Sequence, residues 1–276
     1  MPGPATDANR ARNGRGRRER RARWTPARDA LWGTLDPLVA VGARIAVVGA
    51  GNGDDLPLGR LAGRAGTVVL LDLDPGAPAT ARRRLSRGVR WRVEVVEHDV
   101  TGGAADAITA AAQRDHPPRI TAAPADPLPG APYDLVVGDL LYSQLLYPAL
   151  ADLGIPDARL RATLARHGAA LTRGVVARLH ASAPAGTVVH VHDPVGWWAG
   201  HGQPIPIEAV LAASSPEAGL RIAARCSGPR EADPRTALAA LGVPIAATAL
   251  WRWPFTDGVD YLACATVAGV SPAVPR

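Results

Sequence analysis

The chain contains no lysine, so all 31 of its basic side chains are arginine. With alanine, glycine and proline also abundant, this absence reads as the coding bias of a GC-rich bacterium. An arginine cluster here is therefore a weaker sign of phosphate recognition than usual. Cysteine is nearly absent as well: Cys226 and Cys264 are the only two in 276 residues. They make no disulfide framework, and no Cys-x-x-Cys or Cys/His spacing suggests zinc, so no metal is expected. No apolar run reaches the roughly 20 residues of a membrane span. The N-terminus has the charge of a secretory leader, but no apolar core follows it. The expectation is a cytoplasmic protein without membrane contact.

What is present points to one sizeable domain, since 47% of the residues are apolar and the length suffices for a large core. The formal charge of +6 is unevenly placed. Nine arginines against Asp7, Glu19 and Asp29 put all of it within the first 30 residues, and the remainder is balanced. The segment from Asn9 to Arg23 is rich in Arg and Gly with almost no apolar residue, so residues 1–24 are expected to be a disordered tail and 25–276 the folded domain. A solvated, solubilising tail is the favoured reading, with contact to nucleic acid as the alternative.

After a short helical lead-in opened by Thr25 and Pro26, buried-strand patterns alternate with helical ones. The strand-like runs are Arg44 to Gly49, Thr67 to Asp72, Trp91 to Glu97, Tyr133 to Asp139 and Thr187 to Asp193. Helical stretches are Asp54 to Ala65, Gly76 to Arg87, Gly103 to Arg114 and Asp157 to Ser182, and the proline-rich stretch from Asp115 to Pro132 is expected to be a long loop. Two last runs, Ala249 to Phe255 and Tyr261 to Ala268, are joined through Thr256-Asp257-Gly258 as a hairpin. The pattern predicts an α/β fold: a Rossmann-like, seven-stranded, mostly parallel sheet with helices on both faces and a C-terminal antiparallel hairpin.

The strongest local motif is Gly49-Ala50-Gly51-Asn52-Gly53-Asp54 at the exit of the first strand. Glycines are needed where the chain turns tightly and a ligand approaches the backbone. Asp72 ends the second strand, where a carboxylate can accept hydrogen bonds from both hydroxyls of an adenosine ribose; Asp74 competes for that role. Asp99 follows the third strand, in place to take an adenine amino group. Each acid alone is more often a solvated strand-end residue, and a glycine-rich loop alone is a turn. Three successive strands ending in the right element is a more specific signal.

With those residues in place, Ala43 to Ala268 resembles the class I S-adenosylmethionine-dependent methyltransferases. The resemblance implies S-adenosylmethionine as cofactor, with Gly49, Gly51 and Gly53 beside its methionine part, Asp72 on the ribose, Asp99 on the adenine, and the end of the fourth strand facing the reactive methyl. One position departs from the family: Val47 stands where an acid usually precedes the first glycine. The grip on the methionine amino group must then come from elsewhere, Asp54 or the backbone near Gly138 being the candidates. A nicotinamide or flavin dehydrogenase is the main rival, but it wants a third glycine where this chain has Asp54, and a helix N-terminus bearing an aspartate repels a diphosphate. A non-catalytic ligand-binding domain on the same fold is a further alternative.

Acceptor residues are sought after strands four and five. Asp139 can orient or deprotonate an acceptor or simply cap the next helix, and His192, nearest the end of strand five, can serve as general base or make a structural hydrogen bond. A metal on the His190/His192 pair would need further ligands. Trp197 and Trp198 can line a pocket or pack beneath a loop. The chain lacks the Asn/Asp-Pro-Pro-Tyr signature of many amino-group methylators of nucleic acids. A small-molecule acceptor is therefore favoured, and an RNA methyltransferase helped by the tail is the alternative.

Overall fold

The computed structural model describes residues 3–13, 17–113 and 126–269. Seven strands, β1 (Arg44–Val48), β2 (Thr67–Asp72), β3 (Val93–Glu97), β4 (Leu135–Asp139), β5 (Thr187–Trp198), β6 (Ile245–Thr256) and β7 (Val259–Gly269), form one sheet in the order β3-β2-β1-β4-β5-β7-β6. The first five pair in parallel, whereas β7 runs antiparallel to both β5 and β6. The expected architecture is the observed one.

Twelve helices occupy the described residues: α1 (Pro4–Asn13), α2 (Arg17–Arg23), α3 (Thr25–Leu35), α4 (Leu58–Arg64), α5 (Gly76–Arg83), α6 (Arg87–Arg90), α7 (Ala104–Gln113), α8 (Tyr147–Asp152), α9 (Asp157–Ala181), α10 (Ile207–Leu211), α11 (Pro216–Ala223) and α12 (Pro234–Ala240). Alternation along the strands builds a core on each face of the sheet. Ile45 and Val47 of β1 join Val68 and Leu70 of β2 beneath Leu31 and Leu35 of α3 and Leu61 of α4. Ala46 and Val48 point the other way, with Val69, Leu71 and Val136, against Val175, Val176 and Leu179 of α9. Both faces are covered, which is why these strands read as continuous apolar runs.

Three departures from the sequence reading matter. The segment read as a disordered tail carries α1 and α2. Its few non-basic groups explain how it docks: Ala8 packs among Ile108, Leu146 and Leu150, while Trp24 is buried against Trp253 and Phe255 at centroid distances of 4.9 and 5.7 Å. Strand β5 runs five residues past Asp193, carried by its antiparallel pairing with β7, with an irregularity between His192 and Val195. Helix α11 was not anticipated, although Ser215, whose side chain accepts from the Ala218 N–H, and Pro216 are a recognisable start. Of the expected Asp115 to Pro132 loop, residues 115–125 lie outside the described residues.

Candidate functional site

The strand order reverses between β1 and β4, and the carboxyl ends of the parallel strands there open into a cavity of about 590 Å³. Gly49, Gly51, Asp72, Asp99 and Asp139 all lie on its wall. The three loop glycines have φ of +78°, +45° and +56°, a region in which side chains other than glycine are strained. At Gly49 the constraint is double, because an added Cβ would sit 2.9 Å from Leu141 Cβ and 3.0 Å from the Asp139 carbonyl oxygen. Leu140, immediately after Asp139, is the one non-glycine residue with positive φ (+49°) among those described. Its strain is held by a backbone bond to the Val191 carbonyl and lies at the mouth of the cavity.

Asp72 fixes the loop as well as facing the cavity. Its Oδ2 accepts from the Gly51 N–H at 2.8 Å and its Oδ1 from the Asp74 N–H at 2.9 Å, while burial pushes its carboxyl above the usual range. Asp99 closes the turn into α7, accepting from the Thr101 N–H and hydroxyl, both at 2.7 Å, and from the Gly103 N–H. Asp74 accepts from Asn13 of α1 at 3.2 Å and is not on the cavity wall, whereas Asp72 is.

Asp54 is placed differently from the sequence expectation. Its buried carboxylate pairs with Arg20 Nε of α2 at 3.2 Å and with Arg84 Nη1 at 2.9 Å, while its carbonyl accepts from Arg28. A carboxylate held by two guanidiniums is a poor grip for a ligand ammonium. The acid without such a partner is Asp55, which sequence reasoning passed over. Burial and the adjacent Asp54 push Asp55 up to about 6, against the pull of Arg20 and Arg28. Across the cavity Asp139 is fully buried, its Oδ1 has no partner, and burial and repulsion from Asp55 raise its carboxyl well above the ordinary value. Two acids without an ion pair among the described residues therefore line one space.

No family model and no curated protein matches the chain. Among solved structures it is similar to a magnesium protoporphyrin IX methyltransferase from Synechocystis PCC 6803 with bound SAH, at 16% identity over 94% of this chain and 93% of that one, TM-score 0.46. It is also similar to a SAM-dependent methyltransferase from Aquifex aeolicus (11% identity, 87% and 88% covered, TM-score 0.43) and to a precorrin 8w decarboxylase from Methanobacterium thermoautotrophicum (14%, 89% and 90%, TM-score 0.41). Likenesses at this level concern architecture, which the strand order establishes independently.

Two expected site residues fall elsewhere: Gly53 turns away to a separate cavity beside Arg28 and Arg84, and His192 lines neither the switch-point cavity nor the one beside it. Because β5 continues, His192 sits mid-strand on the α9 and α12 face, its Nε2 3.4 Å from Asp233 Oδ1, and burial holds it down to about 4. His190, on the same face, contacts the Tyr142 hydroxyl at 2.5 Å and His180 Nε2 at 3.1 Å. Among the described residues no group of three His, Cys, Asp or Glu is placed to hold a metal ion.

The adjoining cavity, about 540 Å³, shares Gln144, Leu145, Trp253 and Phe255 with the first. Asp193 lies on its wall, together with Trp198 and Tyr261. The sequence reading named the stretch His190 to Asp193 and the tryptophans after it but gave the chemical role to His192. The signal it lacked was the irregularity that follows His192.

Proposed function

We propose that the chain is an S-adenosylmethionine-dependent methyltransferase acting on a small molecule. One observation carries this reading: at the switch point Gly49, Gly51, Asp72 and Asp99 line a cavity on which Asp55 and Asp139 also lie, neither held in an ion pair among the described residues. The acids fit that cofactor. Asp72 and Asp99 suit adenosine hydroxyls and the adenine amino group, and the Asp55/Asp139 pair suits the positive methionine end, supplying the grip that Val47 does not. They do not fit a dinucleotide. Asp54 is neutralised by its arginines, but Asp55 keeps a negative charge where a diphosphate would have to lie. Of the arginines on the wall, Arg20 pairs with Asp54 and Arg23 with Asp257.

The cofactor, when bound, supplies an activated methyl group. The protein's own residues bind and orient: the loop admits the ligand to the backbone, Asp72 holds both loop and ribose, and Asp139 sets the field at the end of β4. Bringing two molecules into line and excluding water accounts for most of what such an enzyme must do. The adjoining cavity offers the acceptor a place, and its volume of about 540 Å³ suits a small molecule. No helix of the described residues is long and apolar enough to cross a membrane.

Calorimetric titration with S-adenosylhomocysteine and with NAD tests the reading. The former should bind and the latter should not, and saturation at 100 times the dissociation constant should stabilise the fold by about 2.7 kcal/mol. Asp72→Ala should abolish most of that binding. Binding of NAD alone would refute the proposal.

A further inference from the structure

We propose that a separate cavity behind the glycine loop binds a small phosphate monoester, its phosphoryl group taken by Arg21 and Arg28. This cavity, of about 590 Å³, lies between the start of α3, the entry to α4 and the α5–α6 connection. It shares no lining residue with the switch-point cavity or the one beside that, and of the loop glycines it carries Gly53 where the switch-point cavity carries Gly49 and Gly51. Four arginines line it, Arg21, Arg28, Arg60 and Arg84, against a single acid, Asp29.

In a chain without lysine the number of arginines decides little; their partners decide more. Arg84 Nη1 donates to Asp54 Oδ1 at 2.9 Å and Arg60 Nη2 to Asp29 Oδ1 at 2.9 Å, so these two are matched. Arg21 and Arg28 make no ion pair with a carboxylate among the described residues. Arg28 is half-buried, and it donates only to neutral oxygens: the Arg21 carbonyl at 2.9 Å, the Thr25 hydroxyl at 2.7 Å and the Asp54 carbonyl. These contacts bring the cations together, since Arg28 and Arg84 both meet Asp54 and Arg28 also touches Arg21. Burial, and after it repulsion from Arg21, lower Arg28 below the ordinary guanidinium value, although Asp29, Asp54 and Asp55 pull the other way. The cavity is short of negative charge.

Two cations without a carboxylate call for a ligand of about two negative charges. A phosphate monoester carries roughly −1.5 to −2 at pH 7 and offers several strong acceptor oxygens, which planar guanidiniums meet two at a time. A sulfonate, a carboxylate or a phosphodiester brings only one charge. The rest of the wall is apolar, with Leu56 and Leu58 buried and Leu85 and Val89 half-buried, so it receives a compact organic body. Arg21 and Arg60 are exposed, which leaves the cationic side open to solvent. Arg28 and Arg84 also hold the Asp54 and Asn52 carbonyls, so the site rests directly against the glycine loop.

The test is calorimetric titration of the full chain, at constant ionic strength and without cofactor, with phenyl phosphate, benzenesulfonate and inorganic phosphate. Phenyl phosphate should bind the wild type about tenfold or more tightly than either of the others, one of which lacks the second charge and the other the organic body. Arg21→Gln and Arg28→Gln should each weaken it about tenfold or more, the loss of a charge-assisted contact. Arg21 is exposed, so its replacement tests the site without touching the bond from Arg28 to the loop. Arg166→Gln, at an exposed arginine of α9, should leave the affinity unchanged. Equal affinity for the three probes, or no binding of phenyl phosphate, overturns the proposal in the wild type alone. A loss in Arg166→Gln as large as in Arg21→Gln would show only diffuse attraction and overturn it as well. Displacement of phenyl phosphate by a short RNA oligonucleotide at lower concentration than by phenyl phosphate itself would make this a polynucleotide surface, and the small-ligand assignment would be wrong.

Discussion

Arg20 of α2 donates to Asp54 at the end of the glycine loop across 3.2 Å, so the arginine-rich N-terminal segment is tied to the loop that forms the cavity. Asn13 reinforces the tie. Its side chain donates to Asp74 at 3.2 Å, and its carbonyl accepts from Asn52 at 2.7 Å. Asn13, Arg20, Arg23 and Trp24 all line the cavity, which makes the segment part of its wall. Deleting residues 1–23 should therefore weaken S-adenosylhomocysteine binding in calorimetry. Arg20→Ala should weaken it too and lower stability by about 1–3 kcal/mol, less than for a fully orphaned buried charge because Arg84 still faces Asp54. Unchanged affinity in the deletion variant would show that the segment is only a solubilising tail.

The sheet was legible because its signals are local. Parallel strands covered on both faces must be continuously apolar, and the hairpin turn is announced by Asp257-Gly258. The loop glycines and the acids at the ends of β2 to β4 were legible for the same reason. What escaped depends on contacts between distant residues. The arginines at 20 and 84 that occupy Asp54 come from separate elements, and nothing local distinguishes Asp54 from Asp55 as the acid left free. The N-terminal helices take their order from a few contacts, chiefly Trp24 on the hairpin, that a compositional argument discards. His192 and Asp193 were separated only by how β7 pairs with β5.

Gly49 should tolerate no side chain. Gly49→Ala places a Cβ against Leu141 and the Asp139 carbonyl at a φ of +78° and should cost about 1–3 kcal/mol in urea unfolding, with loss of S-adenosylhomocysteine binding. Gly63→Ala is the control. That residue is exposed in α4 with nothing within 4 Å of an added Cβ, so the change should stabilise by about 0.5–1 kcal/mol. Equal effects at the two positions would remove the argument that the loop is shaped for close approach.

Binding of S-adenosylmethionine should strengthen as pH rises through about 6. In the free protein Asp55 is half protonated there, and burial together with Asp55 raises Asp139 as well. The cationic methionine arm binds the ionised acids, so binding releases protons and is opposed by acid. Adenosine, which lacks that arm, should show no such slope. Asp139→Asn should flatten the slope and lower affinity at pH 7.5 about tenfold, the loss of one charge-assisted bond. Parallel pH profiles for the two ligands would indicate that the acids do not face the methionine end.

Asp193 should leave its mark on the stability of the unliganded protein. Its folded value of about 7 lies above the ordinary 3.8, so between those limits the folded state holds a proton that the unfolded chain has released. Stability contributed by the neutral, buried acid is thus fully present below about pH 4, declines as pH rises, and is gone above about 7. His192 acts in the opposite sense. Its value of about 4 in the fold, against 6.5, makes it favour folding increasingly as pH rises between those limits, so a profile of the wild type alone mixes the two. The difference between wild type and Asp193→Asn cancels the histidine. That difference should fall by at most roughly 4 kcal/mol from pH 4 to pH 7.5 and then level off, the full shift being an upper bound for a group on a cavity wall. Urea midpoints at half-unit pH steps measure it. A pH-independent difference would mean that Asp193 is ionised and solvated in the free protein.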